Sequence, residues 1–132
     1  MTASPQVPYR VWQDTSDAFN SDCPVREVLD HITSRWGVLI LAALTRGSMR
    51  FAELHKMIDG ISEKMLSQTL RMLVRDGLVT RTVEPVTPPR VRYELTELGE
   101  GLTVSLQPFL DWLYRHTADI VMAQNRHDRD VT

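Results

Sequence analysis

Residues 61–94, ISEKMLSQTLRMLVRDGLVTRTVEPVTPPRVRYE, limit what this chain can fold into more than any other stretch. Ser62 has the hydroxyl of a helix N-cap, able to accept from unpaired first-turn amides. Gly77, after Asp76, is placed as a left-handed stop. Between them Leu66, Leu70 and Leu73 recur at i, i+4 and i+7, which predicts one apolar stripe on a helix over 62–76. Lys64, Ser67, Gln68, Arg71 and Arg75 recur at the same spacing on the opposite face, all cationic or hydrogen-bonding. Residues 78–84 are β-prone. Pro85, Pro88 and Pro89 then fix φ and remove amide donors, so 85–89 must be a turn. Residues 91–95 return as a second strand.

The flanking sequence supplies the rest of the framework. Pro24 suits the first position of a helix carrying Val25, Val28, Leu29 and Ile32. A second helix starts after Ser34, bears Trp36, Leu39, Ile40, Ala43 and Leu44, and ends at Gly47. Ser48, Met49 and Arg50 suit a one-bridge strand, followed by a short helix through Phe51, Leu54 and Ile58 that Gly60 stops. Thr96 caps a long final helix, with Glu97 near its positive end. That helix carries Leu98, Leu102, Leu106, Phe109, Leu110, Leu113, Ile120 and Val121. Pro108 inside it is expected to kink or interrupt it.

The fold class expected is mainly α with a small β-hairpin: a winged helix-turn-helix with flanking helices for dimerisation. Its divisions are an N-terminal arm over 1–22, the winged helix over 23–95, a dimerisation helix over 96–124 and a flexible tail over 125–132. The last helix is too apolar to stand alone and calls for a second copy of the chain. At 132 residues one domain is expected. The net charge is −2, yet residues 46–92 hold nine Lys/Arg against five acids while the remainder holds six against twelve. A basic module between acidic flanks suits a local anion-binding face. No apolar run is long enough to span a membrane and the start lacks a secretory pattern, so a cytoplasmic, nucleoid-associated protein is expected.

A helix face of cations and amides suits a DNA major groove, whose floor offers donors and acceptors and whose walls are phosphate. Ser62, Lys64, Ser67, Gln68 and Arg71 are the candidates there. Gln can read adenine and Arg guanine with two bonds each. Arg90, stiffened by Pro88 and Pro89, is expected to reach a minor groove or a phosphate; Arg50 and Arg81 are phosphate candidates or surface ion-pair partners. Cys23, the single cysteine, precedes Pro24 and so lies near the positive end of a helix, where a thiolate is favoured. It could serve as a redox sensor open to oxidants or electrophiles, or simply pack at the helix start. His31, His55, His116 and His127 show no metal-ligand spacing, no cofactor is implied, and no nucleophile elbow, phosphate loop or paired carboxylates point to an enzyme. Trp36 and Trp112 suit a core or a dimer interface, and a ligand pocket there is an open alternative. The other alternative is a winged-helix protein-interaction module without DNA binding; an apolar or acidic stripe in place of Lys64, Gln68 and Arg71 would mark one.

Seven pieces in order carry a resemblance. They are Cys23-Pro24-Val25; Arg35-Trp36; Arg50-Phe51-x-Glu53-Leu54; Gly60-Ile61-Ser62-x-Lys64-x-Leu66; Gly77-Leu78-Val79-x-Arg81; Pro88-Pro89-Arg90-Val91; and Tyr93-x-Leu95-Thr96-x-x-Gly99. Over roughly residues 23–113 the chain resembles the HxlR-type family of bacterial winged-helix transcriptional regulators. The resemblance implies a homodimer on a palindromic or pseudo-palindromic operator, acting as repressor or activator on double-stranded DNA. It also implies thiol-based sensing at a cysteine placed as Cys23 is. The chain departs from that pattern at Glu84, where an aromatic residue is common, and at Arg92, where an acid is.

Overall fold

The structure, a computed structural model, describes residues 22–131. Helices α1 (Pro24–Thr33) and α2 (Arg35–Leu44) lead into a short strand β1 (Met49–Arg50) and the helix α3 (Phe51–Met57). Helix α4 (Glu63–Arg75) follows, then strands β2 (Val79–Glu84) and β3 (Arg90–Leu95), and the long helix α5 (Glu97–Asp130). Most of the 1–22 arm expected from sequence falls on 1–21, outside the described residues.

Local chemistry sets these boundaries. Ser34 caps α2 by accepting from the Gly37 amide at 3.0 Å. The Glu53 carboxylate reaches back to the Arg50 amide at 2.7 Å and steadies the start of α3. Ser62 caps α4 through the Met65 amide at 3.0 Å. At the other end of α4 the Leu78 amide donates to the Leu73 carbonyl and the Gly77 amide to that of Val74, each at 3.0 Å. Gly77 sits at φ +77°. This six-to-one and five-to-two pair closes the helix, and the buried side chains of Leu73 and Leu78 supply the apolar contact that accompanies it.

The three strands form one antiparallel sheet in the order β1-β3-β2. Met49 faces Tyr93 and Arg50 faces Arg92 across one ladder, while Val79–Glu84 pairs residue by residue with Leu95–Arg90 across the other. The core lies between α2, α3, α4 and the sheet, with Ile40, Leu41, Leu54, Leu66, Leu70 and Leu73 fully buried. The architecture is the winged helix-turn-helix expected: α3, a turn and α4, then the β2–β3 hairpin as the wing.

Of the kink or interruption expected at Pro108, the interruption does not occur: Pro108 lies inside the helix. The carbonyl that Pro108 leaves without a donor belongs to Val104, which is 73% exposed, so solvent can take that bond. The helix also continues past Gln124 to Asp130, so residues 125–130 are helical rather than an irregular tail.

Gly99 fixes where α5 begins. A Cβ at this position would stand 2.1 Å from the Leu78 carbonyl oxygen. The Thr96 amide donates to that same oxygen at 3.0 Å, and the Thr96 hydroxyl donates to the Gly77 carbonyl at 2.6 Å. The root of α5 is thereby seated directly on the end of α4.

Candidate nucleic-acid interface

Helix α4 presents two faces. Leu66, Thr69, Leu70 and Leu73 are buried, and Thr69 turns its hydroxyl inward to the Met65 carbonyl at 2.8 Å. Lys64, Gln68 and Arg71 are exposed on the other side, and Ser67 is half-buried at its margin. The Arg71 guanidinium donates to the Ser67 hydroxyl at 3.4 Å, a long contact that leaves most of its donors available. Lys64 and Gln68 make no side-chain hydrogen bond or ion pair among the described residues. Ser62 is exposed, but its oxygen is engaged as the N-cap. Arg75 pairs with Glu27 of α1 at 3.4 Å.

Strand register separates the remaining candidates. Arg81 stands opposite Tyr93 and on the same sheet face as Val79 and Val91, the face turned toward α4. Ser67, Leu70, Arg71, Val74, Arg81 and Tyr93 together line a cleft of about 380 Å³ between α4 and the wing. The structure thus brings Ser67, Arg71 and Arg81 together and adds Tyr93, which sequence reasoning assigned no role. The signal was present in its opposition to Arg81, but only a register makes it visible. Arg50 and Arg90 are on the opposite face with Thr82, Glu84 and Arg92. Arg90 opens β3 immediately after the 85–89 turn and is exposed.

The two departures flagged in the wing meet each other. Arg92 donates from Nε to the Ser48 hydroxyl at 2.9 Å and from a terminal nitrogen to the Ser48 carbonyl at 3.2 Å. It also lies 3.9 Å from the Glu84 carboxylate. The extra cation therefore ties β3 to the loop before β1, and Glu84 offsets its charge. Both side chains are two-thirds covered, so this pair braces the base of the wing instead of extending its basic surface.

Cys23 is the N-cap residue of α1, with Pro24 in the first turn. Its thiol is in no disulfide, the residue is half-buried, and its carbonyl accepts from the Arg26 amide at 3.0 Å. His31, read from sequence only as lacking metal-ligand spacing, proves to be almost buried against Asp76. Trp36 packs on the core, with the Arg35 guanidinium 4.9 Å above its ring. Trp112 is exposed and stacks on His116 at 4.3 Å. Among the described residues no helix is long and apolar enough to cross a membrane.

A short helix, a turn, a helix with one buried and one polar face, and a β-hairpin wing with a basic cleft define a winged helix-turn-helix transcriptional regulator. The chain belongs to the HxlR-like helix-turn-helix family, whose pattern matches residues 31–120. It is similar to the HTH-type transcriptional regulator YtfH of Escherichia coli, 46% identical over 107 residues that cover 81% of this chain and 85% of that one. The solved structure of the ytfH regulator of Salmonella typhimurium superposes with a TM-score of 0.76 at 45% identity, covering 81% of this chain and 96% of the other. The redox regulator HypR in its oxidized form is similar with a TM-score of 0.65 at 34% identity, covering 70% and 96%.

Proposed function

We propose that this chain binds a specific operator as a homodimer and regulates transcription by binding rather than by catalysis, in the cytoplasm and on the nucleoid. The observation that carries this reading is the exposed polar face of α4, whose Lys64, Gln68 and Arg71 present uncommitted donors directly behind a fully buried leucine stripe. Such a face can enter a major groove with Gln68 and Arg71 toward base edges and Lys64 toward phosphate. Arg81 and Tyr93 continue the cleft toward the wing. Arg90, at the mouth of the 85–89 turn, meets the adjoining backbone or minor groove, with Arg50 and Ser62 as flanking phosphate contacts. Met65 and Met72 are the apolar side chains that α4 exposes, at the margin of a face otherwise made of Lys64, Gln68, Arg71 and Arg75, and that face favours DNA over the protein-interaction alternative.

The second copy is supported by α5. Among the described residues, 117–130 are all exposed, and the apolar Trp112, Ile120, Val121 and Met122 keep 38–56% of their surface open. A partner helix would remove that surface from water, at about 25 cal/mol per Å² buried. In the dimer the two α4 helices would enter successive major grooves about 34–36 Å apart. Cys23 supports a signal input: it is a free, half-buried cysteine at a helix N-terminus, and the similar HypR is a redox regulator. Oxidants or electrophiles acting on Cys23 would then alter the fit to both half-sites.

Fluorescence anisotropy on fragments enriched from genomic DNA, with reduced and mildly oxidised protein side by side, tests this. Expected are tight, salt-sensitive binding by the reduced form and a changed affinity after oxidation that Cys23→Ser abolishes. Failure of folded, reduced protein to enrich any fragment would overturn the DNA reading. Binding indifferent to oxidation would remove Cys23 alone.

A further inference from the structure

Asp76 is in an unusual place. It is the C-cap of α4, where unpaired carbonyls give the helix its negative end and a carboxylate is disfavoured. Its side chain is also only 7% exposed, so the charge is taken from water as well. Among the described residues its side-chain bond comes from α1: His31 Nδ1 donates to Asp76 Oδ2 at 2.6 Å, and His31 is itself 9% exposed. One turn earlier on the same face of α1, Glu27 accepts from Arg75, the neighbour of Asp76, at 3.4 Å. Two consecutive residues at the end of α4 are thus gripped by two residues spaced i, i+4 on α1.

The surroundings give this grip a role beyond holding α1 in place. Helix α1 buries none of its residues completely, so apolar packing alone fixes it lightly. Asp76 also lines a hollow of about 770 Å³ with Val28 and Ile32 of α1 and Glu97, Leu98 and Leu102 of α5. Three elements meet there: the groove-facing helix, α1, and the root of the helix proposed to hold the second copy.

We propose that His31 and Asp76, assisted by Glu27 and Arg75, form a clamp that sets the direction of α4 relative to α1 and α5, and hence the half-site spacing the dimer accepts. His31 and Asp76 are positioning residues: neither is on the exposed face of α4. The inference rests on the dimeric DNA-binding reading above. With the clamp intact, α1 and α4 move as one body, and a change at the α1–α5 junction reaches the DNA. With the clamp cut, each α4 still carries its contacts but the angle between the two is no longer held.

The test uses a duplex enriched by the wild-type protein from a random pool, with one to three base pairs inserted between or deleted from its half-sites. Wild-type protein should prefer its own spacing strongly. Asp76→Ala and His31→Ala, with dimer mass and helicity retained, should lose at least tenfold of that preference while binding random duplex as the wild type does. Asp76→Asn, which keeps an acceptor for the imidazole N–H, should recover most of it. A general loss of stability would lower both affinities together and would not be rescued in this selective way. Where the alanine variants do not fold, the exposed pair decides. Glu27→Arg and Arg75→Glu should each weaken spacing discrimination by a few-fold, and the two combined should restore it. Unchanged discrimination in the folded alanine variants, or in both single charge reversals where those do not fold, overturns the clamp. Wild-type protein that enriches no duplex overturns the DNA reading and the clamp with it, whereas wild-type enrichment with unchanged variants overturns the clamp only.

Discussion

Helices α4 and α5 are both amphipathic, yet they use their apolar side chains in opposite ways. In α4 the leucine stripe is completely buried in the core, and the exposed face is polar apart from Met65 and Met72 at its margin. In α5 only Gly99 is fully buried over 34 residues, and Tyr114 stands 85% exposed. Among the described residues, one helix is covered by its own domain and the other is largely open. On the dimeric reading proposed above, the contrast separates side chains that specify the monomer from side chains that serve the assembly.

The sharpest way to break this contrast is to truncate both stripes. Leu70→Ala should destabilise the whole domain by about 2–5 kcal/mol, read as a lowered thermal midpoint. Val121→Glu should leave far-UV circular dichroism of the body near wild type and shift light-scattering mass to the monomer. A Val121→Glu protein that remains dimeric would place the interface elsewhere. Gly99→Ala tests the junction between the two helices. Its methyl would collide with the Leu78 carbonyl. We expect a loss of about 1–3 kcal/mol in chemical denaturation, the range for overpacking a tight contact.

The exposed face of α4 should respond in binding rather than in stability. Gln68→Ala and Arg71→Ala should each weaken operator binding by about 1–3 kcal/mol and relax the base preference at one position, with unchanged melting. Arg92→Ala supplies the counterpart from the wing: because its guanidinium holds Ser48 and Glu84, it should loosen the hairpin and lower stability before it changes base preference. The smallest effect is expected at Arg90. Arg90→Ala should weaken binding evenly across sequences and lower the salt slope by roughly one, measured by anisotropy across a salt series. An unchanged slope removes Arg90 from the contacts.

Much of the body was legible because its rules are local. Leu66, Leu70 and Leu73 announce a stripe by spacing alone, and Ser62 and Gly77 announce the ends of α4 by side-chain chemistry and backbone freedom. The polar face followed from the same period. What was not legible depends on contacts between distant segments. The pairing of His31 with Asp76 spans 45 residues. The bracing of Arg92 by Ser48 spans 44, and nothing near either residue in sequence signals the other. Arg81 and Arg50 read alike in sequence, as phosphate candidates or ion-pair partners, and only strand register puts them on opposite faces. The misjudged end of α5 has a different origin: residues 125–130 are polar, which removes packing cues without removing helix-forming capacity.

The seating of Gly99 on the Leu78 carbonyl has a mechanical consequence. With its root seated there, α5 extends as a helix whose far end at Asp130 lies about 46 Å away at 1.5 Å per residue. A one-degree tilt at the root moves that tip by roughly 0.8 Å on the same geometry. In the proposed dimer, small forces from a second copy near the tip would therefore act with a long arm on the end of α4. A distant grip would then steer the exposed face of α4 without touching it.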